Sequence, residues 1–322
     1  KVGRFGHLLG SSPPMQALYD KIARVAPTSA TVLLIGENGT GKELAARTIH
    51  DLSKRKRAPF LAINCGAMSP QSIESELFGH EEGSFAGADQ QHKGFFERAG
   101  GGTILLDEIT EMSFALQVKL LRVLETGTFV RVGSTQPIAT DVRVLAATNR
   151  QPGKAVVERR FRAALYHRLN VFPVHVPPLR DRGTDLEMLA EHFLNALNTT
   201  EQSAKRFGAS ATASLYQHTW PGNVRELKNY VQRAYLLADA VIDNDAQSEA
   251  APASADEDEE ITVRIGTPLD EIEERVTMAT LARCGHVKKR AAEILGISLK
   301  TLYNRLEGYS QRSDVKGDAE TV

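Results

Sequence analysis

The first residues whose types and spacing could do chemistry fall between positions 36 and 43. In Gly36-Glu37-Asn38-Gly39-Thr40-Gly41-Lys42-Glu43, three glycines let backbone N–H groups wrap an anion, and Lys42 brings a cation to the same place. This is the spacing of a phosphate-binding loop, whose lysine neutralises the β- and γ-phosphate oxygens of ATP. One position departs from the general pattern: Glu43 stands where Ser or Thr usually offers a hydroxyl to magnesium. Mg2+ must then lean on another carboxylate and on water. The run Gly101-Gly102-Thr103-Ile104-Leu105-Leu106-Asp107-Glu108 supplies one, since an apolar strand ending in two acids places Asp107 at its carboxyl end. There Asp107 can hold magnesium and Glu108 can act as general base on the attacking water. Arg162 and Arg168 lie six positions apart, and an arginine supplied by a neighbouring subunit can stabilise charge developing on the γ-phosphate. By spacing alone, solvated arginines are the simpler reading.

These residues need elements to position them. Short β-rich runs at 31–35, 60–64, 103–106 and 143–147 alternate with helical stretches, which predicts a mostly parallel sheet covered by helices on both faces. The phosphate loop follows the first run and opens a helical stretch at 44–50, the setting such a loop requires. From about 177 to 240 the strand runs give way to helical spacing, as in Leu186, Leu189, Phe193, Leu194 and Leu197. Residues 243–260 then carry eight acids and no Lys or Arg, a composition that cannot bury a core and reads as a solvated linker. Helical spacing returns at 269–281, with Leu269, Ile272, Val276 and Leu281 on one apolar face. Two further helices are predicted around Leu295-Gly296-Ile297-Ser298, with Ala291 and Ala292 small enough for a close crossing, as in a helix-turn-helix.

Overall charge conceals the basic character of that last module. Lys and Arg number 39 and Asp and Glu 40, so the net charge of −1 gives no global sign of a nucleic-acid binder. Within 286–306, however, Lys288, Lys289, Arg290, Lys300 and Arg305 face only Glu293, a local surplus suited to phosphates. Other classes are excluded more directly. No apolar run is long enough to span a membrane, no secretory signal follows Lys1, and Cys65 and Cys284 cannot make a disulfide framework or a four-ligand zinc site. A cytoplasmic protein is the expectation.

Several motifs in order resemble those of the bacterial enhancer-binding proteins, the AAA+ activators of sigma-54 RNA polymerase, from about Leu8 to Leu306. Residues 36–43 resemble the family's variant Walker A, which ends in Glu, and 105–108 its Walker B. The likeness extends through Glu76-Leu77-Phe78-Gly79-His80, through 144–149 as sensor I, ending in Asn149, and through 220–227 as sensor II, containing Arg225. The resemblance implies that Asn64 restrains Glu108, that Arg162 and Arg168 are fingers acting across a subunit interface, and that Arg225 reads the nucleotide from a helical lid. It also implies a homo-oligomer, from dimer to hexameric ring. Gly83-Ser84-Phe85-Ala86-Gly87-Ala88 occupies the place of the loop that touches sigma-54, which in the family reads Gly-Ala-Phe-Thr-Gly-Ala. Ser84 replaces the alanine and Ala86 the threonine, and Ala164 stands where Asp is often found between the two arginines. The C-terminal module resembles the family's Fis-type domain, which places Ser298, Lys300, Thr301, Asn304 and Arg305 at the DNA, with Lys300 and Asn304 reaching base edges.

The expected organisation is an α/β AAA+ nucleotide-binding subdomain over 1–176, a helical lid over 177–241, an acidic linker over 242–268, an all-α helix-turn-helix domain over 269–309, and a tail over 310–322. The expected function is a DNA-binding activator that hydrolyses ATP to remodel the sigma-54 polymerase closed complex. A sensory domain ahead of Lys1, including one under two-component control, is compatible with it. The main alternative is a DNA-binding regulator uncoupled from sigma-54 by Ala86, using nucleotide to control oligomerisation. A generic AAA+ unfoldase leaves the helix-turn-helix unexplained.

Overall fold

Four of the apolar runs and one further segment pair into a single sheet. In the computed structural model, which describes residues 3–243, 266–283, 288–306 and Tyr309, the strands are Val32–Ile35 (β1), Phe60–Asn64 (β2), Thr103–Asp107 (β3), Arg143–Thr148 (β4) and Phe172–His175 (β5). Their order is β2-β3-β4-β1-β5, and every neighbouring pair is parallel. The α/β fold class is therefore as expected, and four strands lie within a residue of their expected bounds. β5 is the one that patterning does not single out. It carries Pro173, which a sheet tolerates at an edge, and β5 is one of the two edges.

Alternation along the strands divides the core in two. Leu33, Ile104, Leu106, Val144 and Ala146 pack with the helices Pro70–Phe78, Phe114–Thr126 and Ala163–Leu169. Val32, Leu34, Leu105, Leu145 and Ala147 pack on the other face with Pro13–Val25 and Lys42–Asp51. Burial on both faces explains why β4, buried at all six positions, reads as a continuous apolar run. Its one charge, Arg143, is buried and donates to the carbonyls of Val25 (2.9 Å), Ala26 (2.8 Å) and Ala30 (3.2 Å). It thereby satisfies the end of the helix Pro13–Val25, and burial pulls its pKa down to about 10.

Register sets the useful edge of the sheet. Asn64 stands opposite Asp107, and Ile35 opposite Thr148, so the carboxyl ends of four strands finish in line. Ligands of open parallel sheets gather at such ends.

The helices Asp185–Thr200, Ala209–Gln217 and Asn223–Leu237 form a second core around Leu189, Leu194, Leu227 and Val231. Trp220 is buried there, with its indole N–H donating to Leu215 O (2.8 Å) and its ring edge-on to Tyr230. Where sequence reading finds only helices, Arg206–Phe207 pairs in parallel with Val241–Ile242, a contact too short to leave a periodic signal. Ile242, expected to open the linker, is fully buried in this core.

The chain divides into two units, Lys1–Ala253 and Ser254–Val322. Most of the expected linker (244–265), the tail at 310–322, and Cys284 and His286 lie outside the described residues. In the second unit, Leu269–Arg283, Lys288–Ile294 and a helical run at 299–306 enclose Leu281, Ala291, Ala292 and Leu302. Gly296, at φ +66°, makes the turn between the last two helices. Leu269 is 83% exposed, so the apolar face expected to include it begins further along. Among the described residues no helix is long and apolar enough to cross a membrane.

Candidate functional site

Beyond Ile35 the chain turns through residues 36–41 before entering the helix Lys42–Asp51. Gly39 (φ +78°) and Gly41 (φ +102°) adopt left-handed conformations that side chains disfavour, and the Thr40 hydroxyl donates back to Glu37 O (2.8 Å). Lys42 is 6% exposed and its Nζ donates to Gly36 O (2.8 Å) and Glu37 O (3.2 Å), which holds the ammonium over the loop. Nζ also stands 4.0 Å from Glu108 Oε1.

The two acids at the end of β3 meet that lysine. Glu108 has φ +52°, a turn in the strand exit that separates its side chain from that of Asp107, whose Oδ1 accepts the Glu108 N–H (3.0 Å). Burial pushes the Glu108 carboxyl upward in pKa, Lys42 opposes the shift, and Asp107 reinforces it. Burial likewise lowers the Lys42 pKa, while Glu108 and Asp107 hold it up. A partly desolvated carboxylate beside a partly desolvated ammonium can take a proton from water and bind an anion, respectively. A hard cation suits oxygen donors at this strand end, and Asp107 and Glu108 provide them.

Other expected residues stand at different removes. Asn64 is at the end of β2 beside Asp107, but its Oδ1 accepts the Gly66 N–H (2.8 Å), and no hydrogen bond to Glu108 is found among the described residues. Asn149 follows β4, and its main-chain N–H favours the ionised form of Glu108. Glu43 is exposed and pairs with Arg47 (3.4 Å), apart from the Lys42 cluster. Arg162 and Arg168 are exposed at the two ends of the helix Ala163–Leu169. The Arg162 N–H donates to Gln117 Oε1 (2.9 Å), and Arg168 Nη2 donates to Leu124 O (2.7 Å). Arg225 is exposed at the start of the lid helix Asn223–Leu237, close enough for its charge to lower the Lys42 pKa further.

The segment 83–88 is a tight loop closed by Gly83 N–H to Ala88 O (2.8 Å), with Gly83 and Gly87 both at positive φ. Phe85 lies edge-on against His80 at 4.9 Å, and Ala86 is exposed. Ser84 sits where a side chain on Gly133 would collide with it, so the loop rests on the turn that contains Gly133. In the second unit, Ser298 Oγ caps the last helical run through the Thr301 N–H (3.1 Å) and meets Thr301 Oγ1 at 2.8 Å. Lys300 and Asn304 are exposed, whereas Arg305 pairs with Glu273 on the helix Leu269–Arg283.

Three residues of the site region carry no role in the sequence reading. Asn223 is fully buried and donates from Nδ2 to Glu37 Oε2 and Asn38 O, both at 3.0 Å. Arg180 Nη1 donates to Glu37 Oε2 (2.8 Å), and Arg182, also buried, donates from Nη2 to Thr40 O (2.6 Å). Arg180 and Asn223 hold the Glu37 carboxyl below its usual range against burial. In sequence, Arg180 and Arg182 stand two apart shortly after Pro177-Pro178, and Asn223 lies within the 220–227 run, with nothing in either spacing to point to Glu37 or Thr40.

Three family models match the chain in succession: a Sigma-54 interaction domain over residues 8–175, an AAA+ ATPase lid domain over 180–261, and the Fis family of bacterial regulatory proteins over 268–309. The chain belongs to the bacterial enhancer-binding proteins, the sigma-54-dependent AAA+ activators. Among members of this family it is 45% identical over 309 residues to the nitrogen fixation protein AnfA of Azotobacter vinelandii, covering 94% of this chain and 57% of AnfA. It is 43% identical to the transcriptional regulatory protein ZraR of Salmonella typhimurium, covering 95% of this chain and 69% of ZraR. The chain thus spans between about half and two thirds of these curated relatives. Among solved structures it is similar to NtrX from Brucella abortus in complex with ATP, with a TM-score of 0.69 and 34% identity over 95% of this chain and 70% of that one.

Proposed function

We propose that this chain hydrolyses ATP within a ring of its own copies and uses the reaction to remodel the closed complex of sigma-54 RNA polymerase, from DNA sites held by its C-terminal unit. The observation that carries the reading is the approach of Lys42 to Glu108, one residue after Asp107, on a chain whose residues 8–175 match the Sigma-54 interaction domain.

In this reading the loop amides and Lys42 bind the phosphates, Glu108 takes the proton of the attacking water, and Asp107 holds Mg2+. When bound at Asp107, that ion would supply positive charge to offset that of the phosphates. Glu43 contributes its main-chain N–H at the helix start, its side chain being engaged by Arg47. Arg162 and Arg168 reach the γ-phosphate of a neighbouring copy, which their exposure permits. Asn64, Asn149 and Arg225 report nucleotide state to Glu108 and to the lid. Phe85 and the backbone of 83–88 engage sigma-54. Lys300 and Asn304 read DNA bases, with Ser298, Thr301 and Arg305 organising the helix that presents them. The reading divides the chain at the expected bounds, except that the burial of Ile242 moves it from the linker to the lid, and it places the protein in the cytoplasm.

The deciding experiment is open-complex formation by purified sigma-54 polymerase with this protein and ATP. Open complexes from the natural chain, absent with Lys42→Ala, are the expected result. Failure of the natural chain with rescue by Ala86→Thr, given intact ATP hydrolysis, would overturn the reading.

A further inference from the structure

Three consecutive peptide units of the phosphate loop are gripped from one side by the lid. Asn38 O accepts from Asn223 Nδ2 (3.0 Å), Gly39 O accepts from the N–H groups of Val224 (3.0 Å) and Arg225 (3.3 Å), and Thr40 O accepts from Arg182 Nη2 (2.6 Å). A trans peptide is planar and its C=O and following N–H point in opposite directions. Fixing these three oxygens therefore turns the N–H groups of Gly39, Thr40 and Gly41 away from the lid. Thr40 N–H turns to Glu37 O at 3.4 Å. The amides of Gly39 and Gly41 are then aimed by groups that belong to the lid.

The grip is close and firmly anchored. A Cβ on Gly39 would lie 2.2 Å from Gly222 O, so only glycine admits this approach. Asn223 Oδ1 accepts the Leu179 N–H (2.8 Å), and Arg182 also donates to Pro177 O (2.8 Å). Both gripping side chains are thus fixed by the first residues of the lid, just after β5. Both are almost fully buried, at 0% and 2% exposure, so neither trades these acceptors for water.

We propose that the lid sets the phosphate loop: Asn223 and Arg182 are positioning residues that orient the anion-binding amides, so that opening the lid and dismantling the cradle are one event. ATP affinity and lid attitude are then linked, and each must shift the other by the same factor. This rests on the reading of residues 36–43 as the phosphate loop.

Binding of ATP by calorimetry and amide hydrogen exchange, both on the full chain, test it. Asn223→Asp keeps the acceptor for Leu179 N–H but removes the donor to Asn38 O and Glu37 Oε2 and adds a charge beside Glu37, whereas Arg182→Lys keeps the charge and loses only the forked geometry, so the loss common to both reads the positioning. Each is expected to weaken ATP binding by the folded protein at least tenfold, over and above any fall in the nucleotide-free thermal midpoint that loss of a buried hydrogen bond brings. A merely structural role would lower the midpoint and spare the affinity of the folded protein, and that result overturns the proposal. In the unaltered chain, ATP is expected to slow exchange at Val224 and Arg225 together with Gly39 and Gly41. Unchanged exchange at the two lid amides overturns it without recourse to any variant. Lys42→Ala separates the two levels: normal ATP binding by this variant removes the loop reading and the inference with it. Lost binding there beside normal affinity in Asn223→Asp and Arg182→Lys removes the inference alone.

Discussion

Glu108 combines three features at one residue: a left-handed backbone, partial burial, and a lysine ammonium within 4.0 Å. The proposed base must be ionised to accept a proton, and its raised pKa moves the acid limb of the rate profile above the ordinary carboxylate value of about 4.3. Lys42 must be protonated, and its lowered pKa moves the alkaline limb below the ordinary lysine value of about 10.4. Measured kcat against pH is expected to show this narrowed bell, and an acid limb at the ordinary carboxylate position would detach it from Glu108. Glu108→Gln is expected to retain ATP binding and lose roughly 10²–10⁴ in turnover, a range typical of general bases; near-normal hydrolysis would exclude the assignment. Lys42, Asp107 and Glu108 were legible in sequence because each sits in a short run with its own context of strand, turn or helix. Asn223 and Arg182 were not, because their acceptors lie some 140–190 positions away and only the folded lid brings them together.

Among elements, four of the five strands were legible, the edge strand β2 included, and the other edge strand, β5, was not. β1 and β4 are apolar runs covered on both faces, whereas β5 alternates with a proline and an exposed histidine. β4 also contains the one buried cation of the sheet, and Arg143 shows how a charge can close a helix rather than serve a site. Replacing it with Met keeps the bulk but leaves the carbonyls of Val25, Ala26 and Ala30 without its donors. The expected loss is about 3 kcal/mol, the order set by buried acceptors left unpaired. Urea unfolding with an unchanged m value measures it, and a loss under about 1 kcal/mol would show that water replaces the guanidinium.

For the molecule as a whole, the proposed ring makes a complementation prediction. Arg168→Ala subunits keep their own Lys42 and Glu108, and Lys42→Ala subunits keep their own Arg168. Mixtures are expected to hydrolyse ATP where the two alone do not, because a mixed interface unites an intact loop with an intact finger. No recovery at any ratio would place Arg168 outside a shared site. The α/β unit and its lid were separable in sequence by the loss of strand runs, and the basic C-terminal module by its local charge. The arrangement that couples loop to lid was not, since periodicity reports which face is buried and not which polar groups meet across a seam.

The place of β1 in the sheet has a consequence for synthesis. The strand that leads into the phosphate loop has no sequence-adjacent partner: Val32 pairs with Leu145 on one side and with Phe172 on the other. On a translating ribosome, β1 emerges about 140 residues before its second neighbour, or roughly 7–30 s earlier at about 5–20 residues per second. Until β4 is made both edges of this apolar strand are open to other nascent chains, and until β5 is made one still is, while the nucleotide has no finished seat to stabilise. Chaperone capture, and the yield of this protein in cells, should therefore depend on how fast residues 36–175 are translated, a quantity that leaves no trace in the completed fold.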